Sequence, residues 1–305
     1  MSEAAVQVVN FRKRYGPVVA VDNISFEVGR GEIFGLLGPN GAGKTSTLEA
    51  LEGLRSADGG TLRVMGVDPT REARKLRDII GVQLQTSGLP GSMTVREAMR
   101  FFCAYHRAPE RVDLLHRLGL GEKMSAQYAT LSTGQQRRLS LALAVAHNPP
   151  VVFLDEPTAG LDVATRIDLH EMMRELRASG TTIVLATHDM AEAEKMCDRV
   201  AILLRGRIAA IGTPRELTAT GSGFTKVSVR TENGSLTRSD AAFPGVARKT
   251  VQEDYVVYFT TSVGTTLSAI LAHIEAHGDP LIDLRVERPT LEERFLEITN
   301  GGGAR

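Results

Sequence analysis

The segment Gly38-Pro39-Asn40-Gly41-Ala42-Gly43-Lys44-Thr45 matches G-x-x-x-x-G-K-[ST], and it constrains the fold more than any other stretch of the chain. Its glycines let the backbone curl so that successive N–H groups point inward at phosphate oxygens. The helix that follows presents its positive N-terminal end to the same anion. Lys44 reaches the β- and γ-phosphates of a nucleotide, and the Thr45 hydroxyl ligates Mg2+. The flanks fit this reading. The short apolar run EIFGLLG (32–38) precedes the loop as a strand, and a helical pattern (44–54) follows it. A dinucleotide-binding loop is excluded, because GAGKTS has Ser46 where that fingerprint needs its third glycine.

A loop of this kind needs an acidic partner at the end of another buried strand. VVFLDE (151–156) supplies one, with four apolar residues followed by Asp155 and Glu156. Asp155 can hold Mg2+, and Glu156 is placed to polarise a water for in-line attack on the γ-phosphate. Acidic residues also end strands simply to cap the next turn. It is the pairing with the phosphate loop that favours the chemical reading.

Lys plus Arg is 36 and Asp plus Glu is 36. That balance argues against a phosphate backbone as main partner, so no nucleic acid is expected. The 42% apolar content is enough for a sizeable core and excludes a wholly disordered chain. Two cysteines, Cys103 and Cys197, without a CxxC pattern, exclude a disulfide scaffold and read as reduced cytosolic thiols. The longest nearly apolar run, LSLALAVA (139–146), is far short of the ~20 residues of a membrane span. The N-terminus MSEAAVQVV has no signal-peptide pattern. If the chain works on a membrane, a partner supplies the span.

A length of 305 residues suggests two domains. In the first, VQVVNF (6–11), VAVDNISFEV (19–28), TLRVMG (61–66) and IIGVQLQ (79–85) read as strands. Residues from about 90 to 148 read as helical. A capping box, Thr94 with Glu97, opens a helix whose apolar side is formed by Phe101, Phe102 and Tyr105. A second helix covers RVDLLHRLGL, and a third runs from Ser132 to about His147. Two buried strands, 151–155 and 181–187, flank a helix over 162–178, and Pro214 begins a last short helix. Strands alternating with helices predict an α/β fold with a mostly parallel sheet. Arg12, Lys13 and Arg14 read as a solvated stretch. LTATGSGF (217–224) reads as a hinge, which puts the domains at 1–220 and 221–305. The second reads as strand, strand, helix, strand, helix, with an apolar stripe at Leu267, Ile270, Leu271 and Ile274. A final capped helix starts at Thr290 with Glu293, carries Leu291, Phe295 and Ile298 on one exposed face, and ends in a frayed GGGAR tail.

Several separate segments, in order, resemble the nucleotide-binding subunit of an ABC transporter over roughly 5–218. Tyr15 matches the aromatic that stacks on adenine, and Gln85 matches the glutamine that senses Mg2+ and the membrane partner. Leu131-Ser132-Thr133-Gly134-Gln135 is similar to the family signature LSGGQ, with Thr133 in place of the first glycine. PTAGLD, ending at Asp162, follows the acidic pair, and His188 matches the switch histidine that contacts the γ-phosphate. Read alone, Tyr15 and His188 are ordinary strand-end residues; family order lifts them. Ser132 and Gln135 also have capping-box spacing, which orients the helix end that would bind phosphate.

The resemblance implies a P-loop NTPase fold of the ABC ATPase type. That fold has a mixed sheet, a helical subdomain and an antiparallel β subdomain, here followed by a small α+β C-terminal domain. It implies ATP and Mg2+ as cofactors. The nucleotide set is Tyr15, Gly38, Pro39, Asn40, Gly41, Ala42, Gly43, Lys44, Thr45, Ser46, Gln85, Ser132, Gly134, Gln135 and Asp162. Thr45, Gln85 and Asp155 are the implied metal ligands, and Lys44, Glu156 and His188 the catalytic residues. It further implies a homodimer that sandwiches two ATP molecules, bound peripherally at the cytoplasmic face of the membrane to a polytopic permease. The ending ERPTLEERFLEIT (287–299) is similar to that of drug- and polyketide-export subunits, so the expected transport is export of drugs or other hydrophobic compounds. The alternative is a soluble ABC-type ATPase acting on DNA or ribosomes without a permease. Against it stand the single cassette and the short spacing, with only 110 residues separating Thr45 from Glu156.

Overall fold

The computed structural model describes residues 4–84, 88–219, 224–239 and 241–301. It divides into two compact units, Met1–Pro214 and Arg215–Arg305.

In the first unit, β1 (Val6–Tyr15), β2 (Val18–Val28) and β4 (Gly59–Val64) form an antiparallel sheet in the order β2-β1-β4. Each alternates buried and exposed positions, as a sheet with one wet face must. The main sheet has the order β5-β6-β7-β3-β8-β9. Its strands are β3 (Ile33–Leu37), β5 (Ile80–Gln83), β6 (Val151–Asp155), β7 (Thr182–Thr187), β8 (Arg199–Leu204) and β9 (Arg207–Gly212). Only the edge strand β9 runs antiparallel, so the sheet is mixed. Every residue of β3, β6 and β7 is buried, which explains their unbroken apolar runs.

Helix α1 (Lys44–Leu51) carries Leu48 and Leu51 into a core shared by both sheets, where the Phe26 and Phe34 rings stack 5.2 Å apart. After α2 (Ala73–Ile79) come α3 (Val95–Tyr105), α4 (Val112–Arg117) and α5 (Thr133–Val145). Both expected capping boxes, Thr94 with Glu97 and Ser132 with Gln135, are formed. The face of α3 differs from expectation. Val95, Ala98, Met99 and Cys103 are buried, whereas Phe101 and Tyr105 are 58% and 53% exposed. The smaller residues allow close approach to the neighbouring helix, and the larger aromatics turn outward. Helices α6 (Val163–Ala178) and α7 (Met190–Met196) complete the run, and α8 (Pro214–Ala219) begins at the boundary and, after Pro214, belongs to the second unit. Lys13 is also not solvated. It is 7% exposed, and its Nζ donates to the Ser56 carbonyl at 2.8 Å, because its position on β1 faces inward.

The second unit is an antiparallel sheet in the order β11-β12-β10-β13. It contains β10 (Thr225–Thr231), α9 (Ser235–Arg238), β11 (Val246–Gln252), β12 (Tyr255–Thr260), α10 (Val263–Ala276), β13 (Leu281–Glu287) and α11 (Leu291–Gly301). Ile270 and Ile274 of α10 pack on Val227, Val229, Val256 and Tyr258. One strand more precedes α10 than the sequence reading allowed. Leu291 is fully buried, so the exposed face expected of Leu291, Phe295 and Ile298 does not exist as such. Residues 220–223 of the expected hinge and the GGGAR tail beyond Gly301 lie outside the described residues, and 217–219 belong to α8. Both cysteines are buried free thiols.

Candidate active site

Three strand ends meet. In the ladder β3–β7–β6, Leu37 lies beside Thr187 and Asp155 beside Ala186. The residues that follow each strand, Gly38, His188 and Glu156, therefore leave the same edge of the sheet, where open parallel sheets bind their ligands.

The phosphate loop runs from Gly38 into α1. A Cβ at Gly38 would stand 2.3 Å from the Leu203 carbonyl oxygen, so no other residue fits there. Gly43, the N-cap of α1, has φ +104°, which L side chains rarely adopt. Pro39, Asn40, Gly41 and Thr45 are exposed on the rim, whereas Ala42, Gly43 and Lys44 are buried. Lys44 Nζ donates to the carbonyls of Gly38 (2.7 Å) and Pro39 (3.3 Å) and lies 3.7 Å from Glu156 Oε1. The exposed Tyr15 hydroxyl is 3.4 Å from Ser46 Oγ, which brings the sequence-predicted aromatic to the start of α1.

The Thr45 hydroxyl donates to Asp155 Oδ2 at 2.9 Å. Burial pushes the Asp155 carboxyl above its ordinary value; the Thr45 bond offsets part of this, and the Glu156 charge adds to it. Its second oxygen, Oδ1, is buried without a hydrogen-bond partner among the described residues. The Thr45 hydroxyl and the Asp155 carboxylate, with its buried Oδ1 still open, form a hard oxygen donor set that fits Mg2+, which takes few protein ligands and keeps waters and phosphates for the rest.

Glu156 sits at φ +48°, a left-handed conformation uncommon for a residue with a side chain. Its carboxylate is buried and accepts from His188 Nδ1, 2.8 Å from each oxygen. Lys44, Thr45, Asp155, Glu156 and His188 thus share one site. Gln85 lies outside the described residues.

The signature residues stand apart from this group. The Ser132 hydroxyl accepts from the Gln135 N–H, and the Gln135 side chain accepts from the Ser132 N–H at 3.0 Å. A Cβ on Gly134 would touch Thr165 of α6 at 3.5 Å. Among the described residues no hydrogen bond or ion pair joins Ser132, Gly134 or Gln135 to the phosphate loop. Asp162 caps α6: its carboxylate accepts from the Thr165 N–H and hydroxyl, which hold its pKa down.

Sequence reasoning missed a second buried group behind Glu156. Glu192 of α7 joins Thr158 and His170 there. The only signal was its position four residues after His188. It also missed Glu52, buried at the end of α1 with both oxygens unpaired among the described residues.

Comparison with known proteins agrees with this geometry. The family model described as ABC transporter matches residues 21–159. Nod factor export ATP-binding protein I of Paraburkholderia xenovorans is 38% identical, over 98% of this chain and 98% of its own length. Daunorubicin resistance ATP-binding protein DrrA3 of Streptomyces coeruleorubidus is 36% identical, over 98% of this chain and 97% of its own. A solved ATP-binding subunit of an ABC transporter superposes with a TM-score of 0.66 at 29% identity. That match covers 70% of this chain and 91% of the solved one.

Proposed function

The chain belongs to the ABC transporter ATP-binding family and is an ATPase whose hydrolysis is coupled to transport, and from that premise we propose that it powers a separate membrane permease exporting drugs or other hydrophobic compounds. The observation that carries the chemistry is the convergence of Lys44, Thr45, Asp155, Glu156 and His188 within 4 Å of one another in successive pairs. Export rests on the likeness to Nod factor export and daunorubicin resistance proteins, which runs through the second unit as well as the first.

In this reading Lys44 exchanges its carbonyl partners for the β- and γ-phosphates. The loop N–H groups and the end of α1 hold the remaining phosphate charge. Tyr15 stacks on the base. Thr45 and Asp155 hold Mg2+, which when bound offsets phosphate charge, and Gln85 joins them. Glu156 takes a proton from the attacking water. His188 fixes that carboxylate through Nδ1 and turns Nε2 to the γ-phosphate. The signature end of α5, Ser132 to Gln135, serves the ATP of a second copy, so two chains enclose two nucleotides. The catalytic effect is positioning and charge stabilisation.

No helix among the described residues is long and apolar enough to cross a membrane, and in this reading a partner carries the channel. Exposed Tyr105 and half-buried Phe102 of α3 line a groove of about 520 Å3 together with Leu54, Leu76, Leu84 and Leu89. Apolar surface of this kind supports a peripheral position at the cytoplasmic face, with the groove covered by the permease. The test is affinity purification of the tagged chain from detergent-solubilised membranes. A polytopic membrane protein in stoichiometric amount is expected. Recovery only with ribosomes or DNA would overturn the transport reading.

A further inference from the structure

A buried polar clamp stands behind the contact between Glu156 and His188. Glu192 is 4% exposed. Its Oε1 accepts from the Thr158 hydroxyl at 2.7 Å and from His170 Nε2 at 3.0 Å, so His170 carries its proton on that nitrogen. Thr158 and His170 are themselves 5% and 4% exposed. Oε2 of Glu192 is buried with no hydrogen-bond partner among the described residues.

The three residues come from the segments that carry the chemistry. Thr158 lies two residues after Glu156, in a turn closed by Ala159 N–H to Glu156 O and Leu161 N–H to Thr158 O. That turn leads to Asp162, the cap of α6, and His170 lies further along the same helix. Glu192 lies four residues after His188. Its own N–H donates to Asp189, the cap of α7. Two short stretches of chain therefore leave the Glu156–His188 contact in different directions and are pinned together again at one carboxylate oxygen.

An apolar trio would fill this space without burying a carboxylate, one of whose oxygens finds no donor. The arrangement suits a positional role, since a buried oxygen that accepts from two donors at once admits few alternative geometries.

We propose that Glu192, with Thr158 and His170, is a positioning residue for hydrolysis. It holds the turn after Glu156 against α7 and so fixes the angle at which Glu156 meets His188. It touches neither nucleotide nor water. Loosening it leaves ATP binding, which belongs to the phosphate loop, and lowers turnover.

The experiment compares Glu192→Ala, Glu192→Gln and Thr158→Val by steady-state ATPase kinetics. Rates are expressed per nucleotide-binding site, counted by titration with a fluorescent ATP analogue. Glu192→Ala and Thr158→Val are expected to lower kcat on the order of 10- to 100-fold, as sub-ångström misplacement of reacting groups does, with KM for ATP moved less than about 3-fold. Glu192→Gln keeps an oxygen for both donors and is expected to recover kcat to within about 3-fold of the parent. A merely structural role would lower the number of binding sites and leave kcat per site unchanged. Wild-type kcat per site in Thr158→Val overturns the proposal even if Glu192→Ala does not fold. So does a Glu192→Gln variant as slow as Glu192→Ala.

Discussion

Glu156 pays a backbone cost to stand where it does: φ +48° costs a residue with a Cβ roughly 1–2 kcal/mol. Such strain persists where the surroundings impose it, and here His188, Lys44 and the Ala186 carbonyl hold the residue from three sides. Glu52 pays a different cost. Burial, then the charges of Asp155 and Glu49, push its carboxyl from 4.5 up to about 8. Between those values the folded chain keeps a proton that the unfolded chain releases. Stability from this group is therefore full at the acid end and falls as pH rises towards 8. Melting temperatures should show it: the parent loses ground to Glu52→Gln as pH rises from about 5 to about 8, and parallel curves would contradict the assignment. Neither cost was legible in the sequence. Nothing in the letters around Glu52 tells that the end of α1 is buried, and Glu156 was found from its neighbours on β6, not from its backbone.

Capping boxes were legible because they are local: one side chain and one N–H, three residues apart, decide them. The two examples differ in what lies beyond the cap. Thr94 starts a helix that has no nucleotide role, and Ser132 starts the signature helix. Thr94→Ala and Ser132→Ala should each cost about 1 kcal/mol of stability, seen as lower urea midpoints. Only Ser132→Ala should also lower ATPase turnover, because in the proposed dimer the loosened end of α5 is the one aimed at the partner's phosphate. Equal turnover in the two variants would reduce Ser132 to a helix start. Helix faces were less legible than caps. On α3 the large aromatics Phe101 and Tyr105 suggested the buried side, yet Val95, Ala98, Met99 and Cys103 fill it. Choosing a face needs the shape of the neighbour, which a single helix does not contain. The sequence reading also allowed one strand too few before α10, where stretches such as VARKTVQ of β11 are polar and alternate weakly.

For the whole molecule, the sheet order explains why the site could be read at all. Phosphate loop, acidic pair and switch histidine each follow a fully buried strand, and β7 separates β3 from β6 so that His188 comes between Gly38 and Glu156. Apolar runs ending in polar residues mark such strand ends in any sequence. The proposed second copy lies outside any single chain, and the reason to invoke it is that, among the described residues, no hydrogen bond or ion pair joins Ser132 or Gly134 to the phosphate loop of their own chain. The most direct measurement of this account is made on Glu156→Gln, followed by ATP turnover together with size-exclusion chromatography and light scattering, with and without ATP. The account predicts retained ATP binding, turnover reduced at least about 100-fold, and a dimer that forms only with ATP. A variant that stays monomeric at saturating ATP and hydrolyses it at the parent rate would contradict it.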